Sequence, residues 1–137
     1  MPQNRSTAIA LALWLALTVV PEASAESPGK ACAALVEARG ALWSMIDAKD
    51  KSAQDALNAR VQKASANLDS VLAGMTGADA QRAADFKTVW DQFKATREKD
   101  IIPAIYGGNA KEAKKIADSV QSDRLAKMWD IMSCKVR

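Results

Sequence analysis

The sequence has 137 residues, a usual length for one compact domain. Its 19 Lys and Arg residues and 16 Asp and Glu residues give a net charge of +3, far below the concentrated basic charge of nucleic-acid-binding domains. The sequence contains no His, which excludes histidine-based catalytic triads and histidine-ligated metal sites. We therefore expect no nucleic-acid partner, no metal site and no cofactor.

The N-terminal segment has the features of an export signal. Arg5 precedes an apolar run over residues 8–20, and a triplet of small residues ends at Ala25. Signal peptidase recognises this pattern, so we expect cleavage after Ala25. The apolar run is shorter than the ~20 residues that a membrane-spanning helix needs, which makes a retained anchor the weaker interpretation. The sequence predicts a signal peptide over residues 1–25 and a domain over residues 26–137, periplasmic or secreted in a bacterium.

Four helices are predicted in this domain, because its apolar residues recur three or four positions apart and strand-like alternation is nearly absent. The first two helices are expected over residues 30–49 and 53–72. The third is expected over residues 79–106 with a kink at Pro103, and Asn109 caps the fourth. The predicted fold class is therefore all-α, an antiparallel up-down-up-down four-helix bundle.

The boundary between the first two helices is the weakest, because neither Gly nor Pro occurs in it. A continuous helix over residues 30–72, paired with another chain, is the alternative. The cysteines favour the bundle, since its topology brings Cys32 in the first helix close to Cys134 at the end of the fourth. Disulfides persist in the periplasm, and a bridge closing a loop of this length stabilises by about 4.7 kcal/mol. Two reduced thiols, or intermolecular bridges in a domain-swapped dimer, are the alternatives to a Cys32–Cys134 disulfide.

No group of residues predicts catalysis, because acids and bases are scattered over helix faces that are typical of solvated surfaces. We therefore expect a protein that is not an enzyme. Met75, Met128 and Met132 fall towards the cysteine end of the bundle, and thioethers can bind Cu(I). Core packing is the stronger interpretation of methionines at helical spacing. Trp43 and Trp129 lie beside the predicted seam, where they would cover the contact surface of a homodimer.

One layer of the predicted bundle gathers three arginines from three helices. Counting residues from the turns opposite the cysteines puts Arg39, Arg60 and Arg97 at one height, together with Asp118. Arg97 continues an apolar series, where an unpaired charge is costly. We expect Arg97, with Arg39 or Arg60, to form a pocket for a small carboxylate or phosphate. In the alternative interpretation, Arg97 pairs with Asp118 and the other two arginines extend into water.

The second half of the sequence contains a recognisable arrangement. It consists of VWDQFKATRE over residues 89–98, IIPAI over residues 101–105, the turn Gly107-Gly108, and Arg124. This arrangement resembles the second hairpin of the four-helix-bundle sensor domains of bacterial chemoreceptors. The resemblance implies a periplasmic bundle that senses or binds small ligands, often as a dimer. Because the sequence shows no cytoplasmic signalling rod, a membrane-bound sensor protein is the partner that the resemblance implies.

A second resemblance concerns the C-terminal end, where Cys134 lies near the end of the fourth helix. In this position it is similar to the haem-attaching cysteines of cytochrome c′-type bundles. The second cysteine and the histidine of a haem site are missing, so the similarity implies a shared scaffold without haem. The predicted function is therefore a periplasmic bundle that binds a small anion or acts in sensing. A stress-related interaction protein or chaperone, with a large exposed apolar patch, is the alternative.

Overall fold

The structure, a computed structural model, describes residues 26–135, of which 87% are helical and none lies in a strand. The helices are α1 (Pro28–Asp47), α2 (Lys51–Gly74), α3 (Ala80–Thr96), α4 (Ile102–Tyr106), α5 (Ala110–Asp118) and α6 (Val120–Met132). A π-helical turn, Arg97–Ile101, joins α3 to α4, and Ser119 separates α5 from α6. The chain therefore forms four helical segments, α1, α2, α3–α4 and α5–α6, which confirms the predicted all-α class. The predicted signal peptide lies outside the described residues.

The first two helices are separate. Ala48 leaves α1 in an extended conformation, with a ψ angle of 135°. The carboxylate of Asp50 then begins α2 by accepting a hydrogen bond from the backbone N–H of Ala53 at 2.8 Å. Because a capping side chain satisfies the free donors of a helix start, this short break needs neither Gly nor Pro. The continuous first helix is thus not formed.

The third segment departs from regular helix earlier than predicted. The irregularity is the π turn Arg97–Ile101, in which the backbone N–H of Ile102 donates to the carbonyl of Arg97. Proline has no N–H, and its ring clashes with the carbonyl four residues before it, so the turn preceding Pro103 is where the helix must adjust. The expected distortion is present, but it lies one turn before Pro103.

The fourth segment begins as predicted and then breaks. The side chain of Asn109 accepts a hydrogen bond from the backbone N–H of Glu112 at 3.2 Å, which confirms this N-cap. Ser119 interrupts the segment with φ and ψ both at −105°, and its hydroxyl donates to the carbonyl of Lys115 at 2.8 Å. A serine hydroxyl that bonds to the preceding turn competes with the helical backbone. The sequence analysis did not predict this break.

The core consists of two apolar clusters. The cluster nearer the cysteines contains the largest side chains, among them Phe86, Trp90, Phe93, Leu35, Leu68, Met75, Met128 and Met132. The second cluster packs α1 and α2 against the π turn, α4 and α5 through Leu42, Met45, Val61, Ile101 and Ile105. The three methionines are at most 4% exposed. Their predicted role as core residues is therefore confirmed.

A disulfide joins Cys32 near the start of α1 to Cys134 just beyond α6, with the Cα atoms 5.7 Å apart. The predicted bridge is thus confirmed as a link within one chain, not as a pair of thiols or an intermolecular bond. The backbone N–H of Cys134 also donates to the carbonyl of Trp129 at 2.9 Å, which fixes the end of α6. Among the helices of residues 26–135, none is sufficiently long and apolar to cross a membrane.

Candidate functional site

The structure places the three predicted arginines on different surfaces. Arg97, the first residue of the π turn, lies inside the molecule against α2, with only 2% of its surface exposed. Arg60 is exposed on α2 and forms an ion pair with Glu37 of α1 at 2.7 Å. Arg39 is exposed on α1 and lines a groove against α6. The predicted pocket shared by Arg97 with Arg39 or Arg60 is therefore not assembled in this structure.

Arg97 meets its anionic partner within its own turn. Its Nε and Nη2 donate to Oε1 of Glu98 at 2.9 and 2.7 Å, and its Nη1 donates to Oγ of Ser65 at 2.7 Å. The guanidinium carbon lies 5.8 Å from the ring centroid of Trp90, close enough for a cation–π contact. These contacts offset the cost of burying the cation.

The expected pair between Arg97 and Asp118 does not form. Asp118 instead accepts a hydrogen bond from Lys114 at 2.6 Å on its own helix. Counting residues from the turns assumes an unbroken rise per residue, whereas the π turn and the break at Ser119 change the heights of both side chains. The regular spacing in the sequence gave no signal of either irregularity.

The contact between α2 and the α3–α4 segment is rich in satisfied polar groups, and we name it the paired face. Asp69 accepts hydrogen bonds from Nε1 of Trp90 and from Nζ of Lys94, each at 2.9 Å. Further links on this face are Gln62 to Glu98 at 3.0 Å and Tyr106 to Asp55 at 2.8 Å. The hydrogen bond from Tyr106, followed by that from Lys51, lowers the pKa of Asp55, and the same contact with Asp55 raises the pKa of Tyr106.

A groove lies between α1 and α6, and it encloses a cavity of about 260 Å³. Its lining residues are Arg39 of α1 and Ser122, Leu125, Ala126, Trp129 and Asp130 of α6. A smaller cavity of about 40 Å³ adjoins it and shares Arg39, Ser122 and Leu125. We name the two together the α1–α6 groove. It combines charged, hydroxyl and apolar walls, as small-molecule sites commonly do.

Several polar groups of the α1–α6 groove have no partner among residues 26–135. Trp129 is 7% exposed, and its buried Nε1 makes no hydrogen bond. The side chains of Arg39 and Asp130 form neither an ion pair nor a hydrogen bond with any residue of that range. Buried indole N–H groups are usually paired, so Trp129 requires an explanation. Trp129 is buried within its own chain, in the apolar cluster nearer the cysteines, and not on an exposed dimer surface; the homodimer stays a prediction.

The contact between α1 and α6, which forms this groove, has fewer side-chain hydrogen bonds and ion pairs than the contact between α6 and the α3 segment. Over residues 26–135, no side-chain hydrogen bond or ion pair joins α1 to α6, and the disulfide is their covalent link. In contrast, α6 is bound to the α3 segment through Gln121 to the carbonyl of Phe93 at 2.8 Å and Arg124 to Thr96 at 2.6 Å. Within the described residues, apolar packing and the disulfide therefore hold α1 to α6 without side-chain hydrogen bonds between the two helices.

Neither the sequence comparisons nor the structural one identifies a relative. No protein-family description, curated protein or solved structure gives a significant match to this chain. The similarity to chemoreceptor sensor domains therefore stays a prediction. Within residues 26–135, no group of three or more Cys, Asp or Glu residues is arranged to hold a metal ion.

Proposed function

We propose that this protein is an exported, non-enzymatic helical bundle that binds a small anionic ligand in the α1–α6 groove. One observation carries the proposal: the groove is lined by a cation, Arg39, that forms neither an ion pair nor a side-chain hydrogen bond with residues 26–135. An arginine without a protein partner beside a cavity with apolar walls favours a ligand with anionic oxygen atoms. In this proposal Arg97 is a structural residue, since Glu98 and Ser65 already occupy its donors.

The proposed fold is an antiparallel up-down-up-down bundle. Contacts across the paired face support this order, because they join Asp55 to Tyr106, Ser65 to Arg97 and Asp69 to Trp90. Residue numbers rise along α2 while those of the partners fall, as in antiparallel helices. The disulfide between the start of α1 and the end of α6 also supports an even number of passes.

The proposed location is the bacterial periplasm or the exterior of the cell. The signal-peptide pattern over residues 1–25 and the Cys32–Cys134 disulfide support it independently, since disulfides persist in oxidising compartments. In such a compartment the bundle would report its ligand through a membrane-bound sensor protein, the partner that the chemoreceptor resemblance implies.

The chaperone alternative receives no support from the exposed surface. A chaperone that holds partners on a helix face needs a contiguous apolar patch of several hundred Å². The exposed large apolar side chains within residues 26–135 are Val36, Tyr106 and Val120, which lie on three different helices. Isolated apolar residues of this kind are normal on soluble domains.

The test is ligand-induced stabilisation of the mature chain, residues 26–137, with the disulfide formed. Acetate, benzoate and inorganic phosphate are the probes, and native mass spectrometry identifies any molecule that co-purifies. We expect at least one anion to raise the melting temperature, and Arg39→Ala to abolish the increase. Arg60→Ala is the matched control, because it also removes an exposed guanidinium, but one outside the groove. Retention of the increase in Arg39→Ala would contradict the proposed site.

A further inference from the structure

Polar side chains hold three of the contacts between neighbouring helices. Glu37 of α1 forms an ion pair with Arg60 of α2 at 2.7 Å, and the paired face joins α2 to the α3–α4 segment. Near the cysteine end, Nε of Arg82 on α3 donates to the carbonyl of Ile131 on α6 at 3.0 Å. Within the described residues, the contact between α1 and α6 has a disulfide in place of such side-chain links.

Apolar packing on the α1 side of this contact is limited at the cysteine end. The buried α1 residues of the cluster nearer the cysteines are Leu35 and three alanines, namely Ala31, Ala34 and Ala38. An alanine side chain buries a single methyl group, so it contributes much less hydrophobic stabilisation than a leucine. The disulfide therefore provides a large share of the attachment of α1 to α6 at this end.

The disulfide can be reached from the surface. Both cysteines are partly exposed. Cys32 lines an open cavity of about 380 Å³, whose other lining residues are Gly29, Ala33, Val36 and Lys135. Thiol–disulfide exchange requires that an attacking thiolate approach one of the two sulfur atoms. The cavity beside Cys32 provides room for this approach.

We propose that the Cys32–Cys134 disulfide is a redox latch, through which a dithiol reductant controls the α1–α6 groove. Reduction separates α1 from α6 at the cysteine end, and the other helix contacts keep the bundle folded. At the opposite end of α1, Lys114 of α5 lies 4.7 Å from the ring centroid of Trp43, so the fourth segment stays in contact with α1 there. This inference rests on the proposed function, because it assigns the regulation of the same groove.

The reduction has two steps. A thiolate of the dithiol attacks Sγ of Cys32, the bond to Sγ of Cys134 breaks, and its electron pair leaves with Cys134 as a thiolate. Lys135 follows Cys134 and lines the same cavity, so its positive charge favours this departing thiolate. The second thiol of the reductant then displaces Cys32 from the mixed disulfide. The dithiol is oxidised to a disulfide, and its two electrons and two protons leave both cysteines as thiols.

Hydrogen–deuterium exchange of the mature chain, residues 26–137, tests the latch without any ligand. Dithiothreitol is the dithiol, and the oxidised chain is the reference. Reduction should accelerate amide exchange about tenfold or more in α1 before Glu37 and in α6 after Leu125, while α2 and α3 stay within about twofold. Cys32→Ser/Cys134→Ser should show the same pattern without dithiothreitol. Faster exchange in all helices, or unchanged exchange in α1 and α6, would contradict the latch.

One substitution and its control test the place of attack. Ala33→Phe puts a ring into the cavity beside Cys32, so it should slow the reduction by dithiothreitol about fivefold. Ala59→Phe is the matched control, because Ala59 is also an exposed alanine but lies on α2, outside this cavity. Equal rates of reduction in the two variants would contradict attack at Cys32.

Melting temperatures with acetate, benzoate and inorganic phosphate separate the latch from the proposed function. An anion that stabilises the oxidised chain should lose this effect on the reduced chain, because Arg39 of α1 is no longer held opposite the α6 wall of the groove. An equal increase in both redox states would overturn the control of the groove. If exchange shows the separation of α1 from α6 but no anion stabilises the oxidised chain, the proposed function and its regulation are wrong, while the redox-dependent separation stands.

Discussion

The paired face and the α1–α6 groove both contain an arginine and a tryptophan. They differ in whether these side chains have hydrogen-bond partners within the described residues. On the paired face, Arg97 is buried and its guanidinium donates to Glu98 and Ser65, and Trp90 donates to Asp69. In the groove, Arg39 and the indole N–H of Trp129 have no acceptor within residues 26–135. The comparison teaches that a buried arginine does not by itself mark a ligand site. The more informative feature is a donor for which the described fold supplies no partner.

The largest expected effect concerns the disulfide that links the two helices of the groove. The double variant Cys32→Ser/Cys134→Ser should lose about 4 kcal/mol of unfolding free energy, because the bridge closes a loop with a sequence separation of 102 residues. Urea denaturation followed by circular dichroism measures the loss. If the unfolding free energy falls by less than about 1 kcal/mol, apolar packing alone is sufficient to hold α1 to α6. The α1–α6 groove would then differ less from the paired face.

The second-largest expected effect is the difference in stability between variants of Arg97 and Arg39. Arg97→Ala should destabilise the protein by about 3 kcal/mol, because it removes a fully buried side chain and its contacts with Ser65 and the ring of Trp90. Arg39→Ala, at an exposed position without an ion pair in residues 26–135, should change stability by no more than about 0.5 kcal/mol. Urea denaturation of both variants gives the comparison. Equal losses would refute the distinction between a structural and a ligand-binding arginine.

The sequence predicted the helices and the disulfide more successfully than the contacts of Arg97 and Trp129. Helical spacing of apolar residues and the cap at Asn109 are local features. The bridge follows from the positions of the cysteines, one in the first helix and one at the end of the fourth, which an up-down-up-down bundle brings together. The partner of Arg97 depends on the π turn and on the break at Ser119, which shift side chains without a clear signature in the sequence. Similarly, burial of Trp129 depends on how closely α1 approaches α6, which residue spacing does not specify.

The smallest expected effect lies at the exposed end of the paired face, where the Tyr106 hydroxyl donates to Asp55. This hydrogen bond is the largest single cause of the lowered pKa of Asp55, and the hydrogen bond and the charge of Lys51 also lower it. We expect Tyr106→Phe to raise the pKa of Asp55 towards its ordinary value, and an NMR titration of the Asp55 carboxyl group measures the change. The matched control, Lys51→Gln, keeps the Tyr106 hydroxyl, so the pKa of Asp55 should stay below its ordinary value in that variant.

The lowered pKa of Asp55 also fixes the sign of the pH dependence. A carboxyl group with a lowered pKa in the folded state adds stability above its ordinary pKa, and the contribution disappears as the pH falls through the lowered value. The raised pKa of Tyr106 has the opposite consequence: its contribution is complete below the ordinary tyrosine pKa and is lost as the pH rises through the raised value. The stability difference between the unchanged protein and Tyr106→Phe should therefore be largest near neutral pH and shrink at both extremes. A difference that stays constant from acidic to alkaline pH would mean that packing of the Tyr106 ring, not its hydrogen bond, connects α4 to α2.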